Sequence, residues 1–193
     1  MSYRFERLKL DQLSSAQRPI AERAIKGPRK KLGSPVNAWL RSPGVADPVE
    51  RLGEYVRFES STPERLKELV ILVVSRHWTA QYPWSVHYQQ AMDAGISKAT
   101  ADSIWAGKRP ADMKPDEELI YDFCKTLLDG GAIDDATYAR MLGAHGESGI
   151  IDLIGLMGYY STLSMTLVVD RCPPREDSKA PLLEPIARTG RGR

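Results

Sequence analysis

Between Ser61 and Gly95 the chain spells two helices joined by a short turn, and this pair limits the fold more than any other stretch. Ser61-Thr62-Pro63-Glu64 offers a hydroxyl cap, a proline for the first turn and an acid near the positive end of a helix. Leu66, Leu69, Val70, Val73 and His77 then recur at helical spacing. Leu69 to Val74 is rich in β-branched residues and would also suit a buried strand. The helical register that starts at Pro63 and continues past Ser75 decides for a helix, because buried strands are short. A second helix is expected over about Tyr82 to Ala94, closed by Gly95, a natural residue just past a helix end.

Helical signals continue on both sides. Ser14 and Ser15 precede a helix through Ala21, Ala24 and Ile25 that Gly27-Pro28 stops. Pro35 to Pro43 reads as a loop with one helical turn, and Asp47-Pro48 as the start of the next helix. Ser97 caps a short helix to Trp105, Pro110 to Pro115 links, and Asp116 to Leu128 is amphipathic with acids in its first turn. Asp134 or Asp135 caps a helix to Leu142, and a long apolar helix follows over Ile150 to Val169. Neither a hairpin signal nor a glycine-rich phosphate loop is visible; Gly27 to Gly33 is basic but lacks the Gly-Lys-Ser/Thr ending. The expected fold is all-α, a single-domain helical bundle. Residues 1–45 form a helix-and-loop extension, 46–172 the core, and 173–193 a proline- and arginine-rich tail, disordered or serving as an oligomer arm.

Bulk properties narrow the function. A net charge of +2 gives no reason to expect a nucleic-acid partner. Cys124 and Cys172 lie far apart, forming neither a disulfide framework nor a metal spacing, which suits a reducing cytosol. No apolar targeting segment follows Met1. Ile150 to Val169 is long enough to cross a bilayer, but Asp152 and several hydroxyls interrupt it. It reads instead as a central helix or one buried between subunits.

The chemistry concentrates around Ser75-Arg-His-Trp-Thr-Ala-Gln-Tyr-Pro-Trp-Ser-Val-His87. Glu68 and Ser75 project from one side of the first helix, whereas Pro83 and His87 share a face of the second. Packing these helices together brings Glu68 toward His87, an arrangement suited to proton transfer, with the carboxylate fixing the tautomer of the imidazole. Each residue also has a plainer reading. Glu68 could pair with Arg65 or Arg76, and His87 could be a hydrogen-bonded core histidine. His77 could complement a helix dipole, while Trp78, Trp84, Tyr82, Tyr88, Tyr159 and Tyr160 could be packing aromatics.

This segment resembles the signature of the carboxymuconolactone decarboxylase / alkylhydroperoxidase-D-like family, in which a helix carrying a Glu leads into a Cys-x-Tyr/His-Cys pair and then a His. With Ser75 as the shared anchor, the two cysteines fall at Ala80 and Pro83. The acid, the tyrosine and the histidine remain as Glu68, Tyr82 and His87. The string Trp78-x-Ala80-Gln81-Tyr82-x-Trp84-x-x-His87 resembles a thiol-free subgroup in which the position of Pro83 is often Glu. The resemblance spans about residues 10 to 172 and implies the helical bundle of the alkylhydroperoxidase-D type. It further implies an enzyme without cofactor or metal that acts on a small organic acid or lactone by proton transfer, as a decarboxylase or other lyase does. His87 would donate the proton, Glu68 orient it and Tyr82 hold the oxyanion, with Trp84, Ser75 and Asn37 as substrate-binding residues. A cytoplasmic homo-oligomer, dimeric or trimer-based, without nucleic-acid or membrane partners, completes the expectation. Two alternatives stay open: a non-catalytic oligomeric protein, which Pro83 favours, and an alkylhydroperoxidase-type peroxidase, which the two missing cysteines disfavour.

Overall fold

The computed structural model describes residues 3–185, and all of the regular structure within them is helical. The helices are α1 (Arg18–Lys26), α2 (Ser34–Trp39), α3 (Pro43–Glu54), α4 (Glu64–His77), α5 (Gln81–Asp93), α6 (Lys98–Trp105), α7 (Pro115–Leu128) and α8 (Asp135–Asp170). A 3-10 turn at Leu10–Gln12 precedes α1, and a π-helical turn at Tyr55–Glu59 extends α3. The π turn closes where the Ser60 amide donates to the Tyr55 carbonyl. The Lys67 ammonium reaches across from α4 to the carbonyls of Arg57 and Ser60, at 3.1 and 3.2 Å, satisfying groups that the helix end leaves without partners.

The centre of the bundle is α4. Every residue from Leu66 to Arg76 is buried, with α5, α6, α7 and α8 packed around it. That burial explains the strand-like composition of Leu69–Val74: β-branched side chains fill all sides of a helix that has no solvent face. The expected central role of Ile150 to Val169 thus belongs to α4. Helix α8 buries Leu153, Leu156, Tyr159, Tyr160, Leu163 and Leu167 but leaves Ile151 65 % exposed and Val169 51 % exposed. It is long and apolar enough to span a membrane, yet half of it is buried against the other helices, as in the core helix of a bundle. The two helices expected here are one run broken at Gly146, whose φ of 64° only glycine adopts without strain.

Helix α3 begins at Pro43, earlier than Asp47-Pro48 suggests, and Pro48 lies inside it. The cap of α4 is Pro63 itself, with no side-chain hydrogen bond from Ser61 or Thr62. Ser97 caps α6 as expected, its hydroxyl accepting from the Thr100 amide at 2.9 Å.

Neither end of the described chain stands apart from the core. Leu13, Ile20, Ala24, Val36, Trp39 and Leu40, from the N-terminal helix-and-loop segment, join the main apolar cluster. Asn37 clasps the backbone of Leu8 from both sides, at 3.1 and 2.9 Å, and Trp39 Nε1 donates to Thr166 of α8 at 2.8 Å. The buried Asp170 receives the Phe5 amide at 2.7 Å and the Arg7 guanidinium at 2.8 Å. Through residue 185 the tail, expected to be disordered or an oligomer arm, lies as an extended strap across α5 and α6 of its own chain. Gln81 pairs with both the amide and the carbonyl of Leu183, Trp84 Nε1 donates to Pro181 and Trp105 Nε1 to Leu182. The hydroxyl of Ser85 accepts from the Arg175 amide. These α5 and α6 side chains replace the backbone partners that a strap without secondary structure lacks. The rest of the tail, residues 186–193, lies outside the described residues.

Candidate active site

Helices α4, α5 and α8 and the π turn bring four polar side chains together inside the bundle. Glu68 Oε2 lies 2.8 Å from His87 Nδ1, and the Tyr160 hydroxyl lies 3.2 Å from His87 Nε2. Arg57 Nη1 lies 3.0 Å from the other oxygen of Glu68 and 3.2 Å from Glu64. Glu68, His87 and Tyr160 are respectively 1 %, 8 % and 3 % exposed, so water does not compete for these contacts. Burial alone would push the Glu68 carboxyl up. The hydrogen bond and charge of His87, together with the Arg57 guanidinium, outweigh it and hold the carboxyl below its ordinary value. Desolvation pushes the Tyr160 phenol far up, the nearby Arg57 charge opposing only part of it.

These protonation states set the direction of each bond. An ionised Glu68 can only accept, so Nδ1 of His87 carries a proton toward it. With a neutral ring, Nε2 accepts from the Tyr160 hydroxyl and the chain runs Tyr160 O–H to His87 and His87 N–H to Glu68; with a charged ring, Nε2 donates to the phenol oxygen. If the phenol passes its proton to Nε2, it can take one from a substrate carbon or oxygen, and the imidazolium formed sits against Glu68. The reverse sequence returns a proton.

The remaining candidate residues are distributed differently. Ser75 is fully buried two residues before the end of α4, its hydroxyl without a partner among the described residues. Trp84 is buried against Tyr88, its indole N–H committed to the strap. Asn37 spends both halves of its amide on Leu8. Tyr82 lines a separate hollow beside the last turn of α8, and no hydrogen bond joins its hydroxyl to His87. Ala80 and Pro83 stand at the cap and in the first turn of α5, where a proline removes no intrahelical bond. His77 lies edge-on to Trp78 with ring centroids 5.1 Å apart. Tyr160 and Arg57 complete the buried chain although sequence reasoning did not select them. The tyrosine looked like packing within an apolar helix, and nothing distinguished its hydroxyl from those of Tyr159, Ser161, Thr162, Ser164 and Thr166 around it. Among the described residues, no group of three or more His, Cys, Asp or Glu side chains converges as a metal ion would require.

A buried Glu–His pair at a helix–turn–helix corner of an all-helical bundle is the arrangement to set beside known proteins. Residues 43–113, from α3 to the segment before α7, match the carboxymuconolactone decarboxylase family. The fold is similar to the crystal structure of an alkylhydroperoxidase AhpD core, an uncharacterised peroxidase-related protein from Ralstonia eutropha JMP134. That match has a TM-score of 0.72 and 12 % identity, covering 91 % of this chain and 94 % of the other. No curated protein matches the chain. The sequence match thus covers the motif segment, residues 43–113, and the structural match shows that the chain shares the fold of that AhpD core.

Proposed function

We propose that this protein is a cofactor-independent enzyme that moves a proton on a small organic acid or lactone, with Tyr160, His87 and Glu68 as its relay. The observation that carries this reading is the Tyr160–His87–Glu68 chain, at 3.2 and 2.8 Å, buried in the bundle with Arg57 beside Glu68. In the decarboxylase form of the reaction the substrate bears a carboxylate β, or vinylogous, to a carbonyl. Its C–C bond breaks, carbon dioxide leaves, and the bonding pair becomes the enolate. With His87 first protonated by solvent, Tyr160 then protonates the enolate carbon while His87 Nε2 returns a proton to the phenol oxygen, leaving a neutral imidazole that takes its next proton from water. The same groups would serve an isomerase or a hydrolase, so proton transfer is the common element. A cytoplasmic homo-oligomer belongs to this reading.

Thiol peroxidase chemistry fits these residues poorly. It requires an accessible thiolate, whereas burial pushes the Cys124 thiol up to about 12 and also raises Cys172. A second reading, a protein that keeps the network for stability alone, is favoured by how completely Glu68, His87 and Tyr160 are buried. One experiment separates the two. A panel of β-keto acids, unsaturated carboxylates and lactones is incubated with the protein in D2O, and carbon-bound deuterium and carbon dioxide are followed. Turnover that His87→Gln and Tyr160→Phe abolish supports the relay. No turnover across the panel, or turnover indifferent to both substitutions, leaves only the stabilising role.

A further inference from the structure

We propose that the hollow at the C-terminal end of α8 is a binding site for a small carboxylic acid with an apolar body, its carboxylate held by Arg171. The hollow has a volume of about 380 Å³, within the ordinary span of small-molecule pockets, roughly 300–1,000 Å³. Tyr82, Val168, Pro173 and Pro174 supply its apolar walls, with Thr79 at its edge. Two consecutive prolines have fixed φ and few side-chain rotamers, so little of that wall must be ordered when a ligand enters. Val168 is 48 % exposed, an apolar surface in the hollow that a ligand would cover.

The polar end is set by the backbone. Arg171 takes the left-handed conformation that ends α8, with φ 56° and ψ 36°. Its amide and that of Cys172 close on Val168 and Leu167, at 3.2 and 3.0 Å, which fixes where the Arg171 side chain departs. Among the described residues no acid pairs with that guanidinium. Arg175 nearby is already engaged with Asp177, and Arg7 with Asp170. The lining contains this cation and no acid. The negative end of the α8 dipole would oppose an anion here, but its last carbonyls already have donors. Leu167 and Val168 accept the two closing amides, and Val169 and Asp170 accept from Arg4. One cation beside an apolar wall suits a monoanion carried on a ring or short chain, rather than a polyphosphate or a neutral amide.

This site does not depend on the relay, because His87 is not part of its lining. Benzoate is the probe, with benzamide as the neutral analogue, titrated into the full chain by calorimetry or by amide-shift mapping. Saturable benzoate binding is expected, weakened about tenfold or more by Arg171→Gln and by Val168→Glu, a loss of at least ~1.4 kcal/mol. Both positions are exposed, and melting curves taken on the same samples show that the variants are folded. His87→Gln leaves this binding in place, so a failed relay and a failed site give different results. The proposal is overturned by the absence of saturable binding at millimolar benzoate, by equal binding of benzamide, or by undiminished binding to the folded Arg171→Gln and Val168→Glu proteins. Binding that His87→Gln abolishes and Arg171→Gln does not would also overturn it.

Discussion

His87 Nδ1 and Glu68 Oε2 stand 2.8 Å apart on helices that meet at the corner formed by Trp78, Thr79 and Ala80. The corner turns through Thr79, whose φ of 52° lies in the left-handed region. The Ala80 amide then donates back to the Ser75 carbonyl at 2.9 Å, securing the turn. The distance between the acid and the base therefore depends on this corner as well as on the two helices.

The relay reading ranks three substitutions. His87→Gln is expected to lower kcat by ~10²–10⁴, the usual scale for losing a general acid–base group. Tyr160→Phe should cost more than Tyr82→Phe, because only Tyr160 touches His87. Turnover is compared per folded molecule, with urea unfolding on the same samples. If Tyr82→Phe proves the more damaging, the proton passes through the hollow side of α5 and not through Tyr160.

Glu68 links the site to acid stability. Its folded pKa is depressed below the ordinary 4.5, so its contribution is fully present above that value and is lost as pH falls through the folded pKa. Replacing Glu68 by Gln also leaves the buried Arg57 with only the half-exposed Glu64 as an acid, and breaking a buried pair costs up to about 3–5 kcal/mol. The stability gap between wild type and Glu68→Gln should therefore be wide near neutrality and narrow as pH drops below 4.5. Urea midpoints measured across that range check it; a gap that stays constant would mean that ionisation of Glu68 contributes nothing.

The thiols should be dispensable. Cys124 is fully buried on α7, so alanine is the better replacement there, since serine would leave a hydroxyl with nothing to bond. A Cys124→Ala, Cys172→Ala protein is expected to keep its turnover per folded molecule. Activity that disappears with the thiols while melting is unchanged would restore the peroxidase alternative.

An oligomer interface is expected where α8 meets the π turn. Leu52, Tyr55, Phe58, Ile151 and Ile154 are 40–65 % exposed. The π turn and α8 adjoin here: a side chain at Gly155 would meet Val56 and Leu52, and Asp152 lies near enough to Tyr55 to raise its phenol pKa. An exposed apolar patch on one side of a small bundle fits a second copy of the chain. Ile151→Lys should shift the protein toward monomer in light scattering at micromolar concentration. A wild type already monomeric there would remove the proposal.

Much of this protein is set by local sequence. Helical spacing and capping place α4 within a residue of its expected start, and the Gly95 stop of α5 and the Ser97 cap of α6 hold in the fold. The approach of Glu68 to His87 was legible too, because both lie on a pair of helices joined by a turn too short to allow many packings. What local pattern could not supply depends on contacts far apart in the chain. Tyr160 reaches His87 across 73 residues of sequence and Arg57 reaches Glu68 from a π turn that no periodicity announces. Asn37 and Trp84 looked available for a substrate until the N-terminal segment and the strap took their polar groups. Tyr82 and His87 are five positions apart on one helix and so face different sides of it, one toward the hollow and one toward the buried relay. Short-range hydrogen bonding and apolar periodicity fix where helices begin and end. Which polar side chains meet, and which are already engaged, was decided by the packing of α8, the N-terminal segment and the strap around α4, because a partner for a buried polar group comes from whichever segment of the chain covers it.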